Sequence, residues 1–283
     1  MSGEQLYDDG FAFETGIGVR KDVGEALALY EQSAAKGHAG GMFRHGRCFY
    51  HGVGVAVDLA RAVELFALAA KQGHVRAQYV MGACYASGTG AAKDEKKAVE
   101  LYKLAAKQGH PGAQVRLGYC YASGTGVAKN EKKAVELCEL AAKQGNADAQ
   151  IVLGNCYAFG NGVAKNEKKA VELFEIAAKQ GDAKAQYILG VCYASGKGVA
   201  KNEMRAVALY ELAAKQSDAG AQTNLGLCYA SGTGVAMNAM KAVELWELAA
   251  KQGHADAQFH LGACYSSGSG VAKDAKKGAE MYE

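Results

Sequence analysis

Residues 113–148 read AQVRLGYCYASGTGVAKNEKKAVELCELAAKQGNAD, and the stretch returns when the register moves by 36 residues in either direction. Columns make this plain. Gly10, Gly46, Gly82, Gly118, Gly154, Gly190, Gly226 and Gly262 share one, Gly16 through Gly268 a second, and Gly18 through Gly270 a third. Self-similarity at this period predicts a stacked array, with each unit unable to bury its apolar face alone. The units run 5–40, 41–76, 77–112, 113–148, 149–184, 185–220, 221–256 and 257–283, the last one short. They are expected to form one domain over 1–283.

Within a unit the pattern is helical. Ala77, Met81, Cys84 and Tyr85 have i, i+4, i+7, i+8 spacing, one stripe of a first helix. Gln78, Gly82 and Ala86 form a second stripe. A glycine inside a helix costs about 1 kcal/mol, so its recurrence predicts close approach of a neighbouring helix. A glycine loop follows. Asp22, Asp58, Asp94, Asn130, Asn166, Asn202, Asn238 and Asp274 share a column of Asp and Asn, the strongest N-cap residues. They predict a second helix, from about 95 to 108 in the third unit. Its buried stripe is Ala98, Leu101, Tyr102 and Ala105. Its wet face carries Lys96, Glu100 and Lys103, with Lys96 and Glu100 at i, i+4 spacing. Gly109 is expected to cap the helix end, with Pro111 blocking continuation. Ser217 replaces that glycine in one unit, a predicted weak point. Asp9 stands in a column held later by Leu, as an end helix would require.

The residues also exclude function classes. A net charge of +3 is too small to imply nucleic acid. No apolar run approaches the ~20 residues needed to span a bilayer. The opening MSGEQLYDDG has no secretory pattern, and the closing GAEMYE carries no lipidation or retention signal. Cys48, Cys84, Cys120, Cys156, Cys192, Cys228 and Cys264 share one column. Equivalent helices stack roughly 10 Å apart, whereas a disulfide needs Cα atoms within about 7 Å. Reduced thiols and a cytoplasmic location are therefore expected. Cys138 fills a core column otherwise held by Tyr30, Phe66, Tyr102, Phe174, Tyr210, Trp246 and Tyr282.

The pattern A-Q-x-x-L-G-x-C-Y, G-x-G-V, [DN]-x-x-K-A and A-A-x-x-G resembles the Sel-one-like repeat, a relative of the tetratricopeptide repeat. Residues 113–148 carry it through Ala113, Leu117, Gly118, Tyr121, Gly124, Gly126, Val127, Asn130, Lys133, Ala134, Ala141, Ala142 and Gly145. The resemblance implies an all-α fold, a right-handed solenoid superhelix of helix pairs. It also implies a non-catalytic scaffold or adaptor that binds a protein or peptide on its concave surface.

Recognition would reside in the columns that vary. Four first-helix columns at offsets of 4, 3 and 4 share one face. This face is expected to line the groove through Arg44, Arg47, Arg76, Val80, Arg116, Tyr119, Val152, Asn155, Phe159, Ile188, Val191, Asn224, Leu227 and His260. It is basic first and apolar later, with Ile188, Val191 and Leu227 read as exposed. Such a groove suits a peptide with an acidic and an apolar end. His45, Cys48 and His51 form a local His/Cys cluster, and an N-terminal Arg/His patch is the alternative site for a small ligand or metal. His45 occupies the Leu column and reads first as a partly buried core histidine, and no fourth zinc ligand is evident. The GxG loops lack the strand and Lys-Ser pair of a phosphate loop, so they read as turns. His38, His74, His110 and His254 exchange with Asn146, Asp182 and Asp218, which marks a polar turn. Seven equivalent cysteines on an apolar stripe argue against one activated nucleophile. No enzyme, cofactor, nucleic acid or membrane insertion is expected, and the chain is read as a monomer.

Overall fold

The computed structural model describes residues 1–281, and every regular element among them is an α-helix. Tyr282, assigned above to the aromatic column, and Glu283 lie outside the described residues. Two compact units divide the chain, Met1–Gln144 and Gly145–Glu283. The first holds α1 (Gly3–Thr15), α2 (Val23–Ala35), α3 (Ala39–His51), α4 (Leu59–Lys71), α5 (Val75–Ser87), α6 (Glu95–Lys107), α7 (Pro111–Ser123) and α8 (Glu131–Lys143). The second holds α9 (Ala147–Phe159), α10 (Glu167–Lys179), α11 (Ala183–Ser195), α12 (Glu203–Lys215), α13 (Ala219–Ser231), α14 (Ala239–Ala250), α15 (Ala255–Ser267) and α16 (Ala275–Glu280). Inside each unit every helix packs on the next in chain order. Short connections of this kind make neighbours antiparallel.

The second helices start where the Asp/Asn column predicts. Asp94, in extended backbone, accepts the Lys97 N–H, and Asn130 accepts that of Lys133, both at 3.0 Å. The first helices start two residues earlier than their apolar stripe suggests, α5 at Val75 instead of Ala77. The cause is a second set of caps. His74 Nδ1 accepts the Ala77 N–H at 3.2 Å, as His110 does for Ala113, and Asn146, Asp182 and Asp218 do the same in later units. The polar turn column is thus an N-cap column, in which one acceptor atom replaces another. His254 makes no cap bond and lies 3.2 Å from the Thr223 hydroxyl.

Glycine and aromatic columns meet as the periodicity requires. A Cβ built on Gly82 would lie 2.6 Å from the Tyr102 ring, and one on Gly226 2.5 Å from Trp246. The opposing rings are the largest buried side chains, Tyr30, Phe66 and Phe174 among them. Burying one such ring stabilises the stack by about 1.5–3 kcal/mol. The third glycine column has a separate reason. Gly126 has φ +67°, and a Cβ there would lie 2.3 Å from the Glu95 carbonyl. The loop therefore presses on the start of the preceding second helix.

Buried polarity is matched. Gln78, Gln114, Gln150, Gln186 and Gln222 are buried. The Gln114 carbonyl accepts from Gln144 Nε2 at 3.0 Å while its own amide donates to the Ala106 carbonyl at 3.4 Å. The same arrangement recurs at Gln186, with Gln216 and Ala178. Each glutamine ties two helix ends together. Glu100 pairs with Lys103 at 2.7 Å rather than with Lys96, an exposed i, i+3 contact worth little. Ser217 has φ +66°, the one left-handed non-glycine among the described residues.

Candidate functional site

The fourteen candidate face residues divide between the units, from Arg44 to Tyr119 in the first and from Val152 to His260 in the second. Their surroundings differ from the expectation of one exposed stripe. Arg44 is spoken for: its Nη1 donates to both Glu14 oxygens at 3.0 and 3.1 Å, and its guanidinium lies 4.9 Å from the Phe11 ring centre. Arg116 bonds Tyr79, and that bond is the largest of the causes that raise its guanidinium above the usual arginine range. Val80 and Ile188 pack against core clusters, the latter beside Ile151, Ala177 and Ala185. Val191, Val152 and Asn155 are half-buried. Asn224 donates to the Tyr210 hydroxyl at 3.4 Å, and His260 stacks on Trp246 at 5.0 Å. Arg76, Tyr119, Phe159 and Leu227 remain exposed, Phe159 most of all at 73%. Ile188 and Val191 are thus less exposed than their column suggested, because α11 tucks this edge against the preceding pair, α9 and α10.

Several candidates do converge. Asn155 and Phe159 of α9, Phe174 of α10, and Ile188, Val191 and Cys192 of α11 line a cleft of about 240 Å³, with Lys165, Glu167 and Lys197 at its edge. The equivalent cleft opens 144 residues earlier, between α1, α2 and α3, at about 260 Å³. There Thr15 stands for Phe159, Tyr30 for Phe174, Arg44 for Ile188, Arg47 for Val191 and Val53 for Lys197. One architecture thus carries two chemistries. In the early cleft the polar groups answer one another, since the Tyr30 hydroxyl donates to Glu14 at 2.5 Å while Arg44 pairs with the same carboxylate. Burial, reinforced by the Glu14 bond, drives the Tyr30 hydroxyl far above the usual phenol range. The late cleft has an apolar floor and apolar walls.

The His/Cys cluster does not close on a metal. His45 is buried, its ring 5.0 Å from Phe49, and burial lowers its pKa. Cys48 is buried too, whereas His51 is exposed. Among the described residues no group of three or more His, Cys, Asp or Glu is placed to hold a metal ion. All eight cysteines are thiols rather than disulfides, and burial pushes Cys48, Cys84, Cys120, Cys192, Cys228 and Cys264 up, away from thiolate chemistry. In the GxG loops the first donors serve the helix end, Gly88 and Thr89 both bonding the Cys84 carbonyl.

One surface was missed. Leu68, Leu104, Leu140, Ile176, Leu212 and Leu248 are each 46–50% exposed on the second helices. Leu212 belongs to a cleft of about 520 Å³ with Leu189, Tyr193 and Arg205. Its signal is a column of Leu and Ile just before the paired alanines, and a column that repeats from unit to unit is not for that reason buried.

The Sel1-repeat family model matches residues 6–38, 39–74, 75–110, 111–146, 147–182, 183–218, 219–254 and 255–283. From the second match on, each begins at the first residue of a first helix. Among solved structures the chain is similar to c5321, a protective antigen present in uropathogenic Escherichia coli strains, at 30% identity and TM-score 0.82. The match covers 99% of this chain and 60% of that one, so the chain spans well under two thirds of the antigen. A Sel1 repeat protein from Oxalobacter formigenes is 32% identical over 86% of this chain and 96% of its own, at TM-score 0.76. An immunity protein from Pseudomonas aeruginosa shares the fold alone, at 21% identity and TM-score 0.52 over 76% of this chain and 81% of its own. No curated protein matches the sequence. No helix among the described residues is long and apolar enough to cross a membrane.

Proposed function

The chain belongs to the Sel1-repeat family, and on that premise we propose that it is a non-catalytic scaffold that binds protein or peptide partners through the variable face of its first helices. One observation carries the reading. The repeated glycine, alanine and aromatic columns are buried in the stack and the Asp/Asn column caps its helices, whereas Phe159, Ile188 and Val191, which depart from the repeat, converge on a surface cleft. A stack held by repeated residues leaves its variable residues open to selection for partners. The protonated, largely buried thiols support residence in a reducing compartment, read as the cytoplasm. The non-catalytic part of the proposal is supported by the family, and by burial that pushes thiols such as Cys192 away from the thiolate form.

The test compares two faces. Tyr119→Ala, Phe159→Ser and Leu227→Ala together alter the first-helix face, while Leu104→Gln, Leu140→Gln and Leu212→Gln alter the second-helix stripe. Both triple variants should retain wild-type helicity by circular dichroism. Partners captured from native lysate are expected to disappear with the first set and persist with the second. The opposite pattern would move the interaction surface to the second helices.

A further inference from the structure

We propose that the cleft between α9, α10 and α11 is a receptor for a single apolar side chain of a peptide, with an acidic residue beside it drawn to Lys197. The inference rests on the scaffold reading and specifies what the first-helix face takes. Volume sets the size. About 240 Å³ lies below the ~300–1,000 Å³ of small-molecule sites, so the cleft fits one side chain and not a cofactor.

Chemistry sets the kind. Phe174, Ile188 and Val191 give the lining its apolar character, and Asn155 is its one uncharged amide. In three other repeats a polar group answers the corresponding ring: Asn224 bonds Tyr210 and His260 stacks on Trp246, each from the next first helix, and Glu14 of α1, paired with Arg44, bonds Tyr30. In this repeat no polar group of α11 answers the ring. Phe159 stands at the rim where five other units have serine, and those serines fold back on their own helix, as Ser195 does to the Val191 carbonyl at 2.7 Å. A self-satisfied residue has thus been replaced by an exposed ring.

Charge sets the neighbour. Lys197 occupies a column held elsewhere by Thr89, Thr125 and Thr233. Lys165 at the edge is paired with Glu167 at 2.7 Å, whereas Lys197 forms no ion pair among the described residues. The rim therefore carries one net positive charge, which complements a carboxylate next to the buried anchor. The two departures from the repeat, Phe159 and Lys197, flank the same opening.

A random heptapeptide phage library selected on the purified full chain tests this, with fluorescein-labelled copies of enriched peptides measured by anisotropy. Expected are peptides with Leu, Ile, Met or Phe within two positions of Asp or Glu. Their binding should weaken at least tenfold in Phe159→Ser, and Lys197→Glu should select Lys or Arg in place of the acid. Phe159→Ser and Lys197→Thr restore residues other repeats already carry, so folding is retained. Unchanged binding in both overturns the proposal. If binding is then lost in Tyr119→Ala or Leu227→Ala, the first-helix face survives and only this cleft falls. If it is lost in Leu104→Gln or Leu212→Gln, both readings fall. Failure to enrich any peptide also overturns the proposal, as does sedimentation showing a dimer that Phe159→Ser dissociates, since the occupant is then a second copy.

Discussion

Gly154 and Gly118 occupy the same place in the same local sequence, yet alanine should act oppositely at the two. A Cβ on Gly154 would lie 2.4 Å from Phe174 Cε1 and 2.9 Å from Cδ1. Carbon contacts settle at about 3.5–4.0 Å, so the ring would have to move by about 1 Å. Phe174 is 2% exposed, so such a move breaks its core contacts and pushes the ring towards the cleft that it lines. Overpacking of this kind costs about 1–3 kcal/mol, against a gain of about 1 kcal/mol from replacing a mid-helix glycine. Opposite Gly118 the ring is absent; the nearest atoms are Cys138 Sγ at 3.1 Å and the Ala134 carbonyl at 3.3 Å. A shift of a few tenths of an ångström relieves both, and most of the gain survives. Because helix propensity enters equally, the difference between the variants isolates the steric part, about 1–3 kcal/mol. Solenoids need not unfold in one step, so local opening free energies from native-state hydrogen exchange of α7 and α9 are the assay. A third variant sharpens it: in a Phe174→Cys background, Gly154→Ala should no longer destabilise. Equal destabilisation at both glycines, or an undiminished effect in the cysteine background, would refute the ring contact as the reason for this column.

Three further outcomes follow from single contacts. Ser217→Gly relieves a left-handed φ of +66° and should raise stability by about 1 kcal/mol in urea unfolding; a neutral result would mean the turn is not strained. Burial first, then nearby cations including Arg76, lowers the pKa of His74 and of His110, whose Nδ1 atoms must stay unprotonated to cap α5 and α7. Their folded values lie below the unfolded one, so the stabilisation is complete above about pH 6.5 and fades as pH falls through the folded values. Replacing both with Asn, the residue at 146, should leave the thermal midpoint almost unchanged at pH 7.5 and raise it relative to wild type near pH 5. Parallel pH profiles would contradict the cap assignment. Gln114→Leu removes the bonds to Gln144 and the Ala106 carbonyl and should destabilise by about 1–3 kcal/mol, read as faster exchange in α6 and α7.

What could be read in advance follows from how a repeating chain displays its contacts. A contact made in every unit appears as two columns, so Gly82 against Tyr102, and Asp94 as a cap, were legible from residue type alone. The histidine caps were half legible: the exchange with Asn and Asp marked polarity, but an imidazole nitrogen serving as acceptor depends on backbone geometry. A contact made once appears only as two coincident departures, and these have to be sought in pairs. Arg44 was read alone and assigned to an open groove. Its partner, Glu14, is the single acid in a column otherwise held by Tyr50, Ala86, Ala122, Ala158, Ala194, Ala230 and Ser266. Thirty residues separate them, the same interval that joins Gln114 to Gln144 inside one helix pair, yet Glu14 and Arg44 bridge a first helix to the next first helix. Departures of opposite charge cancel into the stack, as Glu14 and Arg44 do. Departures that cannot satisfy one another, such as Phe159 and Lys197, stay at the surface with their chemistry unspent. In a solenoid, the second kind of pair is where a partner has room to act.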